Sequence, residues 1–379
     1  MATENETVSV GLESNGYDIF IGPNELQRLG DLYRKLVGDR HAIVITDNNV
    51  AGHYLDQVVD ALQTVSKRVD SIVVAAGEKS KSIQQCDNLW QKMMELKGDR
   101  SSLVVALGGG VIGDLAGFAA AGFMRGIPFI QIPTSLMAQV DSSVGGKTGV
   151  NLPQGKNLVG AFHQPEFVLI QTSTLDTLDD RNFCAGMAEV IKYGMIMDAE
   201  FFEFLESNAD AIVSRDEQIL RQMIATCCRC KARVVEEDER EITGRRAILN
   251  YGHTFGHAVE SVYGYGTYLH GEAVGIGMRC AARLAETQGM ISQEVVDRQN
   301  RLLDRVGLAH KLVPTGTRIR LLLFGQNKLE KYEQILAAMK HDKKSAGGAP
   351  QLILPDRLGN VKLYDWPGDE VVKAALSEP

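Results

Sequence analysis

Four short apolar segments, separated by helical ones, are the strongest constraint on the fold of this chain. They are HAIVIT (41–46), SIVVAA (71–76), SLVVAL (102–107) and IPFIQIP (127–133). Mainly apolar strands that alternate with helices are typical of a parallel sheet covered on both faces. We therefore predict an α/β domain with a parallel, Rossmann-like sheet, in which ligands bind at the carboxyl ends of the strands.

Two further regions frame this sheet. The first 22 residues alternate apolar and polar side chains on both sides of Ser14-Asn15-Gly16, which predicts a hairpin. After about residue 171 helical periodicity dominates, although one short strand, APQLILP (349–355), is expected near the end. We predict an N-terminal α/β domain (1–170) followed by a mainly α-helical C-terminal domain (171–379).

Composition excludes several classes of protein. The net charge of −8 argues against a nucleic-acid partner, because phosphate binding needs a broad basic surface. The start MATENETVSV does not resemble a signal peptide, and no run of 18 apolar residues predicts a membrane span. The six cysteines fit neither paired zinc knuckles nor a disulfide framework. We expect reduced cysteines in a cytoplasmic protein.

Residues 133–160 are polar and glycine-rich, which predicts a flexible segment around a ligand rather than core. Their charged and amide side chains are Asp141, Lys147, Asn151, Lys156 and Asn157. Glycine lets backbone N–H groups approach an anion, lysine adds charge, and an amide donates to phosphate oxygens. A phosphorylated or carboxylated small substrate is the expected ligand.

A nucleotide-hydrolysing P-loop is the alternative for this segment, because Gly146-Lys147-Thr148 ends like one. That motif requires a glycine five residues before its Gly-Lys pair, directly after a buried strand. Asp141 occupies that position. The spacing therefore argues against a nucleotide-hydrolysing enzyme.

The run GGGVIGD (108–114) follows the third apolar segment and opens a helix. Bare backbone and a positive helix N-terminus suit a dinucleotide pyrophosphate, although a tight structural turn is the alternative. The run does not match the G-x-G-x-x-G pattern of a first βα unit. Asp47, after the first apolar segment, could hold a ribose hydroxyl or cap a helix.

One acid and three histidines predict a metal site. Glu189 lies in the apolar segment AGMAEVIKYG, where it shares a helix face with Lys192; an exposed ion pair is the alternative. His253, His257 and His270 lie within 18 residues, but HTFGH lacks the glutamate of a zinc protease. Two histidines and one carboxylate leave a position open on zinc for a substrate oxygen. The spacing does not choose the two histidines, and a structural role is the alternative for each.

Further cations lie close in sequence to glycines and histidines. They are Lys192, Lys231, Arg246 and the pair Lys343-Lys344. Each one alone would be interpreted as a solvated surface residue. Their sequence neighbours make them candidates for anion binding.

Six segments resemble motifs of the 3-dehydroquinate synthases, in the sugar phosphate cyclase superfamily, and the resemblance spans nearly the whole chain. They are DSSVGGKTGVN, GKNLVGAFHQP, AGMAEVIKYG, KARVVEEDERE, NYGHTFGHAVE and HGEAVGIGM. The resemblance implies an NAD-binding domain (1–170), a metal- and substrate-binding domain (171–379) and a homodimer. It implies NAD and a divalent metal, commonly zinc, with cobalt as the alternative.

The resemblance also implies roles for individual residues. It makes Glu189, His253 and His270 the metal ligands. The implied catalytic residues are Asp141, Lys147, Lys231 and His257. The implied substrate contacts are Arg125, Asn157, Lys192, Arg246, Asn250 and Lys343, with Lys344 as the alternative to Lys343. The implied NAD contacts are Asp47, Gly77, Glu78, Lys79, Gly109, Gly110, Val111, Ile112, Gly113, Asp114, Thr134, Ser135, Lys147, Lys156, Thr174, Leu175, Asp176 and Thr177.

Three of these assignments depend on details of the resemblance. Arg125 would reach the phosphate site of the neighbouring subunit. The segment EITGRR is one residue longer than the family pattern, so Arg246 is chosen over Arg245 by its spacing to Asn250. The segment AGEKSK also departs from the commoner forms, which leaves the NAD contact within 79–81 open.

The implied reaction converts 3-deoxy-D-arabino-heptulosonate 7-phosphate to 3-dehydroquinate and phosphate, a step of the shikimate pathway to aromatic amino acids. In the family, NAD oxidises the alcohol at C5 by taking the hydride from that carbon, phosphate is eliminated, the hydride returns, and an aldol-type step closes the ring. Lys147, Asn157, Lys192 and Arg125 would hold the phosphate, and Arg246 would face the carboxylate.

Three alternatives are weaker. A sister cyclase that acts on a sugar phosphate without a carboxylate would have less use for Arg246 and Asn250. A metal-dependent polyol dehydrogenase would release NADH and would not need so many cations. A non-catalytic NAD-binding protein would have little reason to keep Glu189, His253 and His270.

Overall fold

The computed structural model describes residues 5–264, 266–308, 327–344 and 351–377. The chain divides into two compact units, Met1–Asp179 with Arg215–Arg240 and Asp180–Ser214 with Glu241–Pro379. The sequence predicts a contiguous division near residue 170. In the structure, the helical segment Arg215–Arg240 belongs to the first unit, although it follows residues of the second. The NAD-binding and metal-binding roles of the two domains stay predictions.

A seven-stranded sheet forms the centre of the first unit, in the order β1-β2-β9-β6-β5-β3-β4. The strands of this unit are β1 (Glu6–Val10), β2 (Tyr17–Gly22), β3 (Ala42–Asp47), β4 (Val69–Val74), β5 (Leu103–Gly108), β6 (Phe129–Pro133), β7 (Lys147–Leu152), β8 (Gly155–Phe162) and β9 (Phe167–Gln171). Strands β1 and β2 form an antiparallel hairpin, and the other neighbours in the sheet are parallel. The predicted hairpin and the predicted mainly parallel sheet are both confirmed.

Helices cover both faces of this sheet. They are α1 (Leu29–Leu36), α2 (Asn48–Gln63), α3 (Ile83–Glu95), α4 (Gly110–Gly122) and α7 (Glu217–Glu237). In β3, Ile43 and Ile45 pack in one apolar cluster with α3 and α4, whereas Ala42 and Val44 pack in another with α1 and α2. Burial on both faces explains why these strands are mainly apolar in sequence.

Residues 133–160 are more ordered than the sequence predicts. A π-helical turn spans Ala138–Ser142, and β7 pairs with β8 in an antiparallel hairpin. Gln139 and Val140 are fully buried. A Cβ atom at Gly160 would lie 2.2 Å from the Thr148 carbonyl oxygen, so glycine allows the two strands to approach. The expectation that the segment lies outside the core is therefore wrong for its middle.

The second unit is mainly helical, as predicted. Its helices are α5 (Asp180–Met197), α6 (Ala199–Val213), α8 (His253–Tyr263), α9 (His270–Thr287), α10 (Gln293–Arg305), α11 (Asn327–Lys344) and α12 (Asp369–Ser377). The strand predicted at 349–355 is present as β10 (Gln351–Arg357), and it pairs with β11 (Asn360–Asp365), which the sequence analysis missed. Helix α5 is buried on most sides, because 183–196 is an almost uninterrupted run of small and apolar residues.

Two expectations from composition can be compared with the described residues. None of the described helices is long and apolar enough to cross a membrane. All six cysteines lie in the described ranges and are free thiols, and five of them are buried. Burial raises the pKa of the Cys228 thiol to about 12, which leaves it protonated and unreactive at neutral pH.

Candidate active site

Glycines bring three helices of the second unit close together. A Cβ atom at Gly271 would lie 1.8 Å from the Ala185 carbonyl oxygen, so the first turn of α9 packs directly on the α5 backbone. A Cβ atom at Gly277 would lie 2.0 Å from the Gly252 carbonyl oxygen, at the start of α8. Side chains at the first positions of α8 and α9 therefore come close to Glu189 in α5.

An acid in the first turn fixes the start of α9. The Glu272 carboxylate accepts a hydrogen bond from the Leu269 backbone N–H at 2.8 Å. Arg181 donates to both oxygens of the same carboxylate, at 2.6 and 2.8 Å. This cap satisfies an N–H group at the helix start and holds His270, the first residue of α9, in place.

The predicted metal ligands converge in the structure. Glu189 Oε1 lies 3.4 Å from His253 Nε2 and 3.7 Å from His270 Nε2. One ring nitrogen from each of His253, His257 and His270 also lies within 4.8 Å of the others. All four side chains thus meet at one point of the second unit, and both a three-histidine set and a two-histidine, one-carboxylate set are geometrically available.

Hydrogen bonds on the far side of two rings direct their lone pairs inward. His253 Nδ1 lies 3.1 Å from the Tyr251 carbonyl oxygen, which can only accept. His270 Nδ1 lies 3.0 Å from Glu260 Oε2, and Glu260 is buried. In the neutral rings, both Nε2 lone pairs then face the Glu189 carboxylate. Lone pairs that converge beside a buried carboxylate suit a divalent metal.

Glu189 and Lys192 form a buried ion pair, which rules out the exposed alternative. Their side chains are 1% and 2% exposed, and Lys192 Nζ donates to Glu189 Oε2. Burial alone would raise the pKa of Glu189, but the Lys192 ammonium, the largest opposing influence, holds that pKa well below its usual range. Glu189 is therefore an ionised carboxylate at neutral pH.

The glycine loop lies at the carboxyl end of β5, as predicted. Gly109 is the N-cap of α4, which begins at Gly110. A Cβ atom at Gly110 would lie 2.9 Å from Ser142 Oγ, and one at Gly109 would lie 3.2 Å from Ser135 Oγ. The half-buried start of α4 and the absence of side chains at these two positions suit a dinucleotide pyrophosphate.

Asp47 caps a helix, the alternative that the sequence left open. Its Oδ1 accepts from the Asn49 and Val50 backbone N–H groups at 2.8 and 3.1 Å, at the start of α2. Both cap hydrogen bonds use Oδ1. A contact between Asp47 and the ribose of NAD stays a prediction.

Lys81 lies in the range 79–81, within which the resemblance left the NAD contact open. Its Nζ donates to the Asp114 carboxylate and, at 2.5 Å, to Asn157 Oδ1, and its side chain is 6% exposed. Burial raises the pKa of Asp114, and the Lys81 ammonium opposes this shift. Lys79, which the resemblance implied, is exposed. The buried contacts of Lys81 favour it over Lys79 as the polar residue of this segment that faces the sheet edge.

Two implied catalytic residues meet within the first unit. Lys231 Nζ lies 2.9 Å from Asp141 Oδ1 and donates to the Asp141 carbonyl oxygen at 2.5 Å. Helix α7 supplies Lys231, and the π-helical turn supplies Asp141. The Cys228 thiol donates to the Gln139 carbonyl oxygen and so attaches the helix to the turn.

Gln139 was missed by the sequence analysis, although it organises the predicted cofactor region. Its Nε2 lies 3.2 Å from the Pro133 and Gln171 carbonyl oxygens and 3.0 Å from Thr174 Oγ1. It thereby joins the ends of β6 and β9 to the turn Thr172–Thr177. In this region Thr134, Thr174 and Leu175 are buried, whereas Asp176 and Thr177 are exposed.

Several other residues for which the resemblance implies a role occupy different environments. Arg246 is fully buried, and Asn250 is exposed at the end of the same 3₁₀ turn, Arg245–Asn250. Arg125 is exposed and has a φ of 70°. Lys147 is exposed at the start of β7, and Lys156 is half-buried in β8. The side chains of Lys343 and Lys344 lie outside the described residues.

Two family models match the chain in sequence. One, described as 3-dehydroquinate synthase N-terminal, covers residues 71–185, and the other, 3-dehydroquinate synthase C-terminal, covers 186–345. The 3-dehydroquinate synthase of Desulforamulus reducens is 46% identical, over 98% of this chain and 99% of its own. That of Rhodopirellula baltica is 45% identical, over 98% and 97%.

Solved structures give a consistent result. A 2-deoxy-scyllo-inosose synthase complexed with carbaglucose-6-phosphate, NAD+ and Co2+ is 26% identical, with a TM-score of 0.86 over 98% of this chain and 100% of its own. A 2-epi-5-epi-valiolone synthase from Streptomyces hygroscopicus, with NAD+ and Zn2+ bound, is 26% identical, with a TM-score of 0.83 over 97% of each chain. A 1,3-propanediol oxidoreductase, 13% identical with a TM-score of 0.69 over 99% of each chain, shares the fold alone.

Proposed function

The chain belongs to the 3-dehydroquinate synthase family, and we propose which of its residues bind the metal, the NAD and the substrate of the synthase reaction. It is a phosphate-eliminating lyase that converts 3-deoxy-D-arabino-heptulosonate 7-phosphate to 3-dehydroquinate and phosphate, in aromatic amino acid biosynthesis. The observation that carries this conclusion is the 46% identity over 98% of the chain.

In the proposed metal site, Glu189, His253 and His270 bind the ion, and His257 lies beside it as a proton-handling residue. The inward Nε2 lone pairs of His253 and His270 support this assignment, as does the ionised state of Glu189. The similar solved structures contain Co2+ or Zn2+. We propose zinc, with cobalt as the alternative; when bound, the metal would act as a Lewis acid on the substrate hydroxyl.

The first unit is proposed to bind NAD along the carboxyl edge of its sheet, through the contacts that the resemblance implies. The N-terminal amides of α4 would receive the pyrophosphate, and Lys81 would hold the Asp114 carboxyl in place beside them. When bound, NAD would take up a hydride and return it in each turnover, so the overall reaction is redox-neutral.

Two groups of side chains are proposed to handle the substrate's charges. In the first unit, Lys147 and Asn157 would donate to phosphate oxygens, and the Lys231–Asp141 pair would pass a proton between Nζ and Oδ1. In the second unit, the buried Arg246 would receive a carboxylate, for which its planar fork is suited.

A sister cyclase acting on another sugar phosphate is the second candidate, because the similar solved structures include such enzymes. Phosphate release from heptulosonate phosphate, glucose 6-phosphate and sedoheptulose 7-phosphate separates the two. We expect release from the first substrate alone. Arg246→Lys should raise KM for that substrate by about tenfold or more, because a bidentate contact to its carboxylate is lost. Release from glucose 6-phosphate or sedoheptulose 7-phosphate, with none from heptulosonate phosphate, would favour the sister cyclase.

We further propose a cytoplasmic homodimer in which Arg125 acts in the neighbouring subunit. Arg125 is exposed, and its backbone lies in the left-handed region with a φ of 70°. This conformation is costly for a non-glycine residue and is consistent with a functional constraint. Mixing inactive Arg125→Ala and His270→Ala subunits tests this. Half of the random dimers would regain one working site, which gives about a quarter of wild-type activity. A mixture that recovers no activity would contradict a role for Arg125 in the neighbouring subunit.

A further inference from the structure

A chain of hydrogen bonds in the first unit joins the turn before α3 to the β7–β8 hairpin. Asn151 Nδ2 donates to Glu78 Oε1 at 2.7 Å, and Asn151 Oδ1 accepts from the Asn157 backbone N–H at 2.9 Å. The Asn151 backbone N–H donates to the Lys81 carbonyl oxygen at 2.9 Å. Asn151 thus contacts three residues of the proposed site, although no role has been assigned to it.

The partners of these two amides fix which way each one faces. The Glu78 carboxylate can only accept, so Asn151 must present Nδ2 to it and keep Oδ1 for the Asn157 N–H. The Lys81 ammonium can only donate, so Asn157 must present Oδ1 to it. The Nδ2 group of Asn157, on an exposed residue, is therefore directed away from Lys81 and is oriented as a donor.

The backbone of Asn157 needs this support. Its φ is 56°, in the left-handed region that L-residues other than glycine adopt at an energetic cost. Asparagine tolerates this region better than most residues, and the hydrogen bond from its N–H to Asn151 Oδ1 holds the conformation. Removing that acceptor would let the backbone at Asn157 relax and would turn its amide away.

We propose that Asn151 is a positioning residue for phosphate binding. It acts through Asn157, whose backbone it fixes so that Nδ2 donates to a phosphate oxygen of the substrate. Lys81 completes the arrangement by setting the orientation of the same amide. This inference rests on the proposed function, in which Asn157 contacts the substrate phosphate.

Inorganic phosphate, a product of the reaction, is the probe. Its inhibition constant against heptulosonate phosphate is measured at saturating NAD for the wild type, Asn151→Ala, Asn157→Ala and the double variant. Each single variant should bind phosphate about tenfold more weakly, because one hydrogen bond to a charged group is lost or misdirected. The double variant should bind it no more weakly than Asn157→Ala, because both changes remove the same donor. Asn88→Ala, an exposed asparagine of α3, serves as the control and should match the wild type.

A purely structural role predicts a different pattern. The inference is overturned if Asn151→Ala leaves phosphate binding unchanged, or if the two effects multiply in the double variant. The unfolding temperature reports whether each variant folds, and Asn151→Ser replaces the alanine variant if it does not. Failure of the proposed function appears separately, as a wild type that neither consumes heptulosonate phosphate nor is inhibited by phosphate.

Discussion

Replacing Glu189 by alanine should damage the protein in two separable ways. In the metal-free protein, the change removes the carboxylate that compensates the Lys192 ammonium, which is only 2% exposed. Breaking a buried ion pair in this way costs about 3–5 kcal/mol. For a domain of 150–250 residues each kcal/mol lowers the unfolding temperature by about 2–4 °C, so we expect a decrease of about 6–20 °C.

The second effect is on metal binding. If Glu189 is a direct ligand, as we propose, its loss should weaken Co2+ binding by more than the roughly 10–100-fold that loss of an outer hydrogen-bond partner costs. Thermal unfolding in the presence of a chelator measures the first effect, and a Co2+ titration followed by visible absorption measures the second. Glu206→Ala is the matched control, because Glu206 forms an ion pair with Arg298 that is partly exposed. It should cost about 1 kcal/mol or less and leave Co2+ affinity unchanged.

A double variant separates the two effects. Glu189→Gln with Lys192→Met removes both charges, so most of the stability should return while Co2+ binding stays lost. The pH dependence has a defined sign. Because the pKa of Glu189 is lowered in the folded protein, its contribution is complete above the ordinary glutamate pKa of about 4.3 and is lost as pH falls through the lowered value. An unchanged unfolding temperature for metal-free Glu189→Ala, or an unchanged Co2+ affinity, would refute this reasoning.

Three further predictions concern other parts of the molecule. Glu260→Gln should weaken Co2+ binding by about 10–100-fold, because the histidine ring that it orients loses a charged partner; an unchanged titration would contradict this role. Lys231→Met should lower kcat by about 10²–10⁴-fold and leave NAD affinity unchanged, because the proton partner of Asp141 is removed. A loss of NAD affinity as large as the loss of kcat would indicate a structural role. In the native protein at pH 8, Cys184 alone should react with a thiol reagent, because the other five thiols are buried and burial raises, for example, the pKa of Cys228 to about 12. After denaturation all six thiols should react. Reaction of fewer than six would indicate disulfides.

The central sheet could be predicted because burial on both faces leaves a local sequence signature. The strands β3, β5 and β6 are mainly apolar, and helix α5 is small and apolar on nearly every side. The β7–β8 hairpin has no such signature, since close approach at Gly160 depends on backbone contact and not on apolar alternation. The return of helix α7 to the first unit depends on contacts distant in sequence, which periodicity does not report.

The proposed metal ligands could be predicted from the sequence because histidines are few, eight in the chain, and because Glu189 lies in an unusually apolar segment. The residues that support these proposed ligands could not be predicted from the sequence. Glu260 is one of many glutamates, and only the contact between α8 and α9 brings it within 3.0 Å of His270 Nδ1. Lys81 likewise becomes a site residue only when the sheet brings Asp114 and Asn157 to the same edge.

One reaction mixture tests the central claim most directly. The purified protein is incubated with 3-deoxy-D-arabino-heptulosonate 7-phosphate, NAD and Zn2+, while phosphate, dehydroquinate and absorbance at the NADH wavelength are followed together. A redox-neutral synthase should release phosphate and dehydroquinate in equal amounts with no net NADH. Accumulation of NADH in step with product, or no phosphate release from this substrate, would contradict the account.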